Sequence, residues 1–429
     1  MKFIFKYILT FAFALGIAVN VDAQIDTNLT YSKKLSLVPY LNLVGKQNLG
    51  LLAQQYNVSI AEAGIESAKV FPDPQLTVGA YNNQESKLHL GQGVNFSLGA
   101  TLELGGKRSA RINLAKSQTE LSKALLTDYL RNLRADAAMA YYNAIQQKDL
   151  LLVQENSYQT MKHLADADSV RFKLGAIAQI DARQSKLEAS SFLNSVIQNE
   201  SDWKSSLVQL SVFTGKKDID TLFVPTKSAD NLERTFVLAQ LINNAQNNRA
   251  DAVAAQNSKT VAEKNLSLVK ANRTIDLGIN TGMQFSGAST NDIAPTPAYH
   301  SVNAGLSVPL KFSNHYKGDL KAAHFTIQQV AVQYDQVLQQ IQADVIQSYF
   351  NYKSAQKQVQ QYKSGLIADA EKVLNGKIYS YKRGETSLLE VLNAQRTYND
   401  VQEGYYQTLY NYAAALITLE RSAGIWDLQ

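Results

Sequence analysis

The segment VNFSLGATLEL, Val94 to Leu104, alternates apolar and polar residues without a break. Val94, Phe96, Leu98, Ala100, Leu102 and Leu104 fall on one side of an extended chain, and Asn95, Ser97, Gly99, Thr101 and Glu103 on the other. Period two puts successive side chains on opposite faces of a strand. IDLGINTGMQF (Ile275 to Phe285) and VNAGLSVPL (Val302 to Leu310) read the same way, and Gln75 to Tyr81 follows more weakly. A half-buried strand of a soluble sheet also alternates, but two features point to a bilayer. The runs are about ten residues long, the length a tilted strand needs to cross hydrocarbon. Their polar faces carry Gly, Asn and Ser where a solvated sheet carries Lys and Glu. A strand in lipid cannot leave its edge N–H and C=O groups unpaired, since each costs several kcal/mol, so the strands must close into a barrel. Four strands are too few, because membrane barrels start at about eight. The barrel must therefore be shared between chains: two copies supply eight strands, three supply twelve.

Outward from the strands, the chain becomes helical over long distances. Lys107 to about Asp166 contains no Gly and no Pro. From Asp319 the next Gly is Gly365, and no Pro follows. In that stretch Ile327, Val330, Tyr334, Val337, Ile341, Val345, Tyr349, Tyr352, Ala355, Val359, Tyr362 and Leu366 form one stripe. Their mean spacing of about 3.55 lies between a coiled-coil seam and a straight helix. Sixty helical residues extend about 90 Å, far beyond the three or four turns of an ordinary helix. Such helices suit a tube wall.

The chain also repeats itself. RADAAMAYYNAIQQ from Arg134 matches QADVIQSYFNYKSAQ from Gln342, with Asn143 opposite Asn351. Gly175 and Gly384 correspond at an offset of 209, as do Gly215 and Gly424. Two units, about 35–215 and 232–424, are expected, joined through the polar stretch Lys216 to Asn231. Each unit runs helix, strand, strand, long helix, tight turn, helix.

Composition bounds the function. The chain has 429 residues, 45% of them apolar, with 22 Gly and 7 Pro, few breakers for that length. The net charge of +5 is spread along it, leaving no nucleic-acid footprint. Lys2 and Lys6, an apolar run from Tyr7 to Val19, and Val21-Asp22-Ala23 read as a signal peptide over 1–23, with the mature chain, 24–429, starting at Gln24. There is no cysteine, hence no disulfide, thiolate metal site or lipid-bearing cysteine. His89, His163, His300, His315 and His324 show no ligand spacing, and LGGKRS at Leu104 lacks the first glycine of a phosphate loop. No catalytic residue, metal site or cofactor is expected, and the basic cluster GKRSAR is expected to lie near the membrane face.

Taken together these residues resemble the TolC family of outer-membrane efflux proteins. The resemblance is carried by SAKVFPDPQLTVG from Ser67, by LELGGKRSAR from Leu102 and SVPLKFSNHYKG from Ser307, and most by YKRGETSLLEVLNAQRTYND from Tyr381 with its counterpart FKLGAIAQIDARQS from Phe172. It covers nearly all of the mature chain. It implies a mainly α protein with a β-barrel part: a homotrimer whose 12-stranded barrel lies in outer-membrane lipid and whose 12-helix barrel crosses the periplasm. The turns at Gly175 and Gly384 would be the periplasmic entrance, where a periplasmic adaptor and an inner-membrane transporter of RND or ABC type dock. Loops at Asn82–Gly91 and Ser286–Pro297 would face outside. Glu390 and Asn393 match the acid ring of the entrance, the second with an amide in place of a carboxylate. Asp181 and Tyr381 match a pair that links the tip helices. An exported coiled-coil scaffold without channel activity is the alternative, and it leaves the alternating strands unexplained. An exported helical enzyme would need a convergent polar site, and none stands out. The transported substrate is not readable, although SVPLKFSNHYKG is closer in style to metal-cation efflux members.

Overall fold

A computed structural model describes residues 31–84, 89–216, 221–227, 232–311 and 315–426. The signal-peptide expectation, 1–23, lies outside them. The chain is mainly helical. It runs β1 (Tyr31–Leu35), α1 (Leu37–Gln47), α2 (Leu49–Lys69), β2 (Gln75–Asn82), β3 (Gln92–Leu102), α3 (Lys107–Lys173) and α4 (Gln179–Phe213). There follow β4 (Thr221–Pro225), α5 (Leu238–Asn248), α6 (Ala250–Asn272), β5 (Leu277–Ser286), β6 (Tyr299–Ser307), α7 (Lys317–Gln361), α8 (Ile367–Lys382) and α9 (Leu388–Ala423). The same order of elements thus recurs, with one difference. α3 is continuous over 67 residues, about 100 Å at 1.5 Å per residue. Its counterpart is divided into α7 and α8 by a π-helical turn, Tyr362–Leu366, in which Gly365 sits at φ 126°.

Three features add to the expected order of elements. The helix that opens each unit is broken, at Asn48 and at Arg249. At the first break Asn48 accepts from the backbone N–H of Leu51, capping α2, and donates to the carbonyl of Phe213 at the end of α4. At the second, Arg249 donates to the carbonyl of Ser422 at the end of α9. The glycine closing each unit lies against that break: a methyl on Gly215 would stand 2.1 Å from the carbonyl oxygen of Gln47, and one on Gly424 3.4 Å from Arg249. Both glycines have positive φ, which side chains with a Cβ resist. Third, the polar stretch between the units contains β4, which pairs in parallel with β1 in register from Tyr31↔Thr221 to Leu35↔Pro225. The Tyr141 hydroxyl donates to the carbonyls of Leu35 and Thr226 and fastens this small sheet to α3.

β2, β3, β5 and β6 form one antiparallel sheet in the order β2-β3-β5-β6. Its register aligns like with like. Val78, Phe96, Met283 and Val302 lie side by side, as do Ala100, Ile279 and Leu306. The other face aligns Gly79, Asn95, Gln284 and Ser301, then Thr77, Ser97, Gly282 and Asn303. The apolar face is bare: Val302 and Leu306 are 70% and 71% exposed and Phe96 is 42% exposed.

The main core surrounds the helix breaks. Tyr40, Tyr141, Ile341, Val345, Tyr352, Leu416 and Ile417 are buried there, and the Tyr352 and Tyr412 rings stack with centroids 5.4 Å apart. A second, smaller core lies toward the helix turns and contains Met161, Leu164, Tyr381, Leu388, Val391 and Leu392. No helix among the described residues is long and apolar enough to cross a membrane.

Candidate functional site: the two helical turns and the sheet junction

The turns joining α3 to α4 and α8 to α9 are built alike. Gly175 and Gly384 have φ of 76° and 79°. In each, the residue after the glycine donates back to the closing turn of the helix, Ala176 to Arg171 and Glu385 to Ser380, the usual glycine-terminated helix end. Open space surrounds both glycines, so they are needed for backbone conformation and not for clearance.

Behind these turns, α3 and α9 meet along a buried polar seam. Gln146 donates to Gln407 at 2.6 Å, Gln154 to Glu403, and Ser157 to Asn399 at 2.6 Å. The seam ends at Asp168, which is fully buried. Tyr381 donates its hydroxyl to Asp168 at 3.0 Å, and the Arg171 guanidinium stands 3.6 Å from the same carboxylate and over the Tyr381 ring. Within the chain the acceptor for Tyr381 is Asp168, on α3. Asp181, in the first turn of α4, contributes only its charge to the surroundings of both groups. Burial lifts the Asp168 carboxyl above its ordinary range, against the opposing pull of Tyr381, Ser185 and Arg171. Its second oxygen is buried with no hydrogen-bond partner. Burial, then the charge of Asp168, raises the Tyr381 hydroxyl, so it stays protonated and able to donate. Asp168 was missed in the sequence, although it carried a signal: it lies seven residues past Met161, so the seam that buries Met161 must bury an acid one heptad on.

Glu390 and Asn393 are exposed in the first turns of α9. Glu390 is not a free carboxylate. It pairs with Lys377 across the hairpin and accepts from the Thr386 hydroxyl at 2.8 Å. The hydrogen bond from Lys377 chiefly, and then that from Thr386, hold its carboxyl below the ordinary range.

At the other end of the molecule, GKRSAR is a structural collar. Lys107 is buried against Asp276, Arg111 pairs with Glu103, and Arg108 donates to the Lys69 carbonyl while covering the Phe71 ring. These contacts fix the start of α3 to the ends of β3, β5 and α2. Among the described residues no group of three His, Asp or Glu side chains is placed to hold a metal ion.

An exposed apolar sheet in register, feeding long helical hairpins with glycine turns, defines a wall segment of a membrane duct. A family model described as outer membrane efflux protein matches residues 41–216 and 241–425, and the chain belongs to that family. It is 23% identical over 403 residues to the cobalt-zinc-cadmium resistance protein CzcC of Cupriavidus metallidurans, covering 91% of this chain and 90% of that one. It is 22% identical over 390 residues to the outer membrane protein TolC of Vibrio cholerae, covering 88% and 87%. Its fold matches the crystal structure of the Campylobacter jejuni CmeC outer membrane channel with a TM-score of 0.74 and 14% identity, over 90% of this chain and 85% of that one. The protein is an outer-membrane exit duct of an efflux system, with its helical hairpins extending into the periplasm.

Proposed function

We propose that three copies of this chain assemble into a closed duct that passively conducts substrates delivered by an inner-membrane transporter, of RND or ABC type, and a periplasmic adaptor. The observation that carries this reading is the four-stranded sheet. β2 and β6 are its edges, and its apolar face is exposed in aligned rows. In lipid those edges must be paired. Three sheets edge to edge make a barrel of twelve strands, wide enough for a passage where about eight would be filled by side chains. The hairpins α3–α4 and α8–α9 of the three copies continue it as a helical barrel. Each copy contributes a duplicated unit, and the turns at Gly175 and Gly384 form the end on which the adaptor docks. The chain has no chemistry of its own to perform; energy enters through its partners. Divalent metal cations, which the Cupriavidus relative's name specifies for that protein, are the first cargo to test.

At the entrance, Glu390 from three copies forms an acidic ring, with Asn393 one turn beyond it. Each Glu390 is tethered by its own Lys377, so the ring's field is partly neutralised while the tether holds. Single-channel recording on the purified full chain tests this. Glu390→Ala is expected to weaken cation preference and block by multivalent cations, and Lys377→Gln to strengthen both, with the effects fading as salt rises. Unchanged selectivity in both variants would place the constriction elsewhere.

A further inference from the structure

The polar face of the sheet has a feature that barrel closure does not require. The three asparagines on this face each lie over a glycine of the neighbouring strand. Asn95 is paired with Gly79, Asn280 with Gly305, and Asn303 with Gly282. A methyl group on those glycines would stand 2.5, 2.5 and 2.6 Å from the asparagine Oδ1 atoms, well inside van der Waals contact. The amides are therefore laid flat across the strands, in the space that a missing Cβ leaves. Gly282 is buried by this cover even though it is on the open face of the sheet. No residue on this face of the four strands is Asp, Glu, Lys, Arg or His.

We propose that these glycine–asparagine pairs are the width-setting residues of the membrane section of the duct, paving its wall with flat, uncharged amides so that it passes bulky solutes of either sign. The inference rests on the barrel reading above, in which this face lines the passage. An asparagine standing up from the strand projects into the lumen; one lying over glycine does not. Three pairs per copy act around the full circumference. With no fixed charge on this wall, charge discrimination falls to the other end of the molecule.

The chain has no cysteine, so an introduced one is the sole thiol. Ser307 and Leu306 are neighbours on opposite faces of β6, near the helical end. In the full chain in liposomes, a small water-soluble maleimide is expected to label Ser307→Cys and to spare Leu306→Cys. Equal labelling of both removes the barrel reading, and the inference with it. With the face established, maleimide-linked polyethylene glycols of increasing size added from outside measure the bore down to Ser307→Cys. Adding Gly282→Ala and Gly305→Ala is expected to lower the size cutoff by lifting Asn303 and Asn280. Adding Asn303→Ala and Asn280→Ala to that protein is expected to restore it. An unchanged cutoff in the glycine variants, with small-reagent labelling intact, overturns the proposal while leaving the barrel standing. So does a reduced cutoff that the asparagine truncations fail to restore.

Discussion

At the scale of single residues, the tip is organised by one buried acid. The raised carboxyl of Asp168 binds its proton more tightly in the folded protein than in the unfolded chain, where it titrates near 3.8. Folding therefore gains stability as pH falls from above the folded value toward 3.8, the reverse of an ion-paired surface aspartate. Asp168→Asn keeps the shape and removes the buried charge. Its melting temperature should match or exceed wild type at alkaline pH, and its advantage should shrink as the pH is lowered toward the unfolded value. A gap that widens on acidification would show that the carboxylate is stabilised where it lies. Tyr381→Phe has the opposite character, because it leaves the charge and takes away a donor. A charge-assisted bond of this kind contributes about 1.5–3 kcal/mol, enough to shift a closed-to-open ratio roughly tenfold or more. Open probability in single-channel recordings should rise in Tyr381→Phe. In Asp181→Ala it should change less, since Asp181 does not receive that hydrogen bond.

At the scale of elements, the break between α7 and α8 is the point where the two halves of the chain differ. Gly365 adopts φ 126° in open surroundings, so alanine there meets backbone strain and little steric conflict. Gly365→Ala should cost about 1–3 kcal/mol if the turn is retained, read as a lower melting temperature; a variant as stable as wild type would mean the helix has straightened. This break was only half legible in the sequence. Gly365 was visible as the first glycine after Asp319, but the apolar stripe ran straight through to Leu366, and periodicity carries no sign of a single inserted residue. The four strands of the sheet were legible because one apolar and one polar face impose a period of two, most plainly in β3 and β5. The breaks at Asn48 and Arg249 were not, because each is set by a side chain reaching a carbonyl some 170 residues away in sequence. The pairing of Tyr381 with Asp168 failed to show for a related reason. The tip motif surrounds Asp181, whereas Asp168 is placed by the heptad of α3, outside the motif.

At the scale of the whole molecule, the bare apolar face and unpaired sheet edges make the isolated chain incomplete. Native mass spectrometry of detergent-purified protein should give a species of three chains; a stable monomer carrying a closed barrel would remove the reading. The two faces of β6 should also respond oppositely to charge. Val302→Arg puts a cation on the lipid side at about 2–4 kcal/mol near the bilayer midplane and should reduce recovery in the outer membrane. Asn303→Arg, on the other side of the same strand, should assemble normally.

The unbroken 67-residue α3 beside the jointed α7–α8 gives the chain one strut and one lever. Beyond Gly365, the arm formed by α8 is 16 residues long, about 24 Å at 1.5 Å per residue. A tilt of about ten degrees at the joint would carry the far end of that arm roughly 4 Å while the strut stayed still. In the three-copy assembly proposed above, three such arms swinging together about one axis would change the aperture by more than the diameter of a water molecule, with no helix unwound and no strand re-registered.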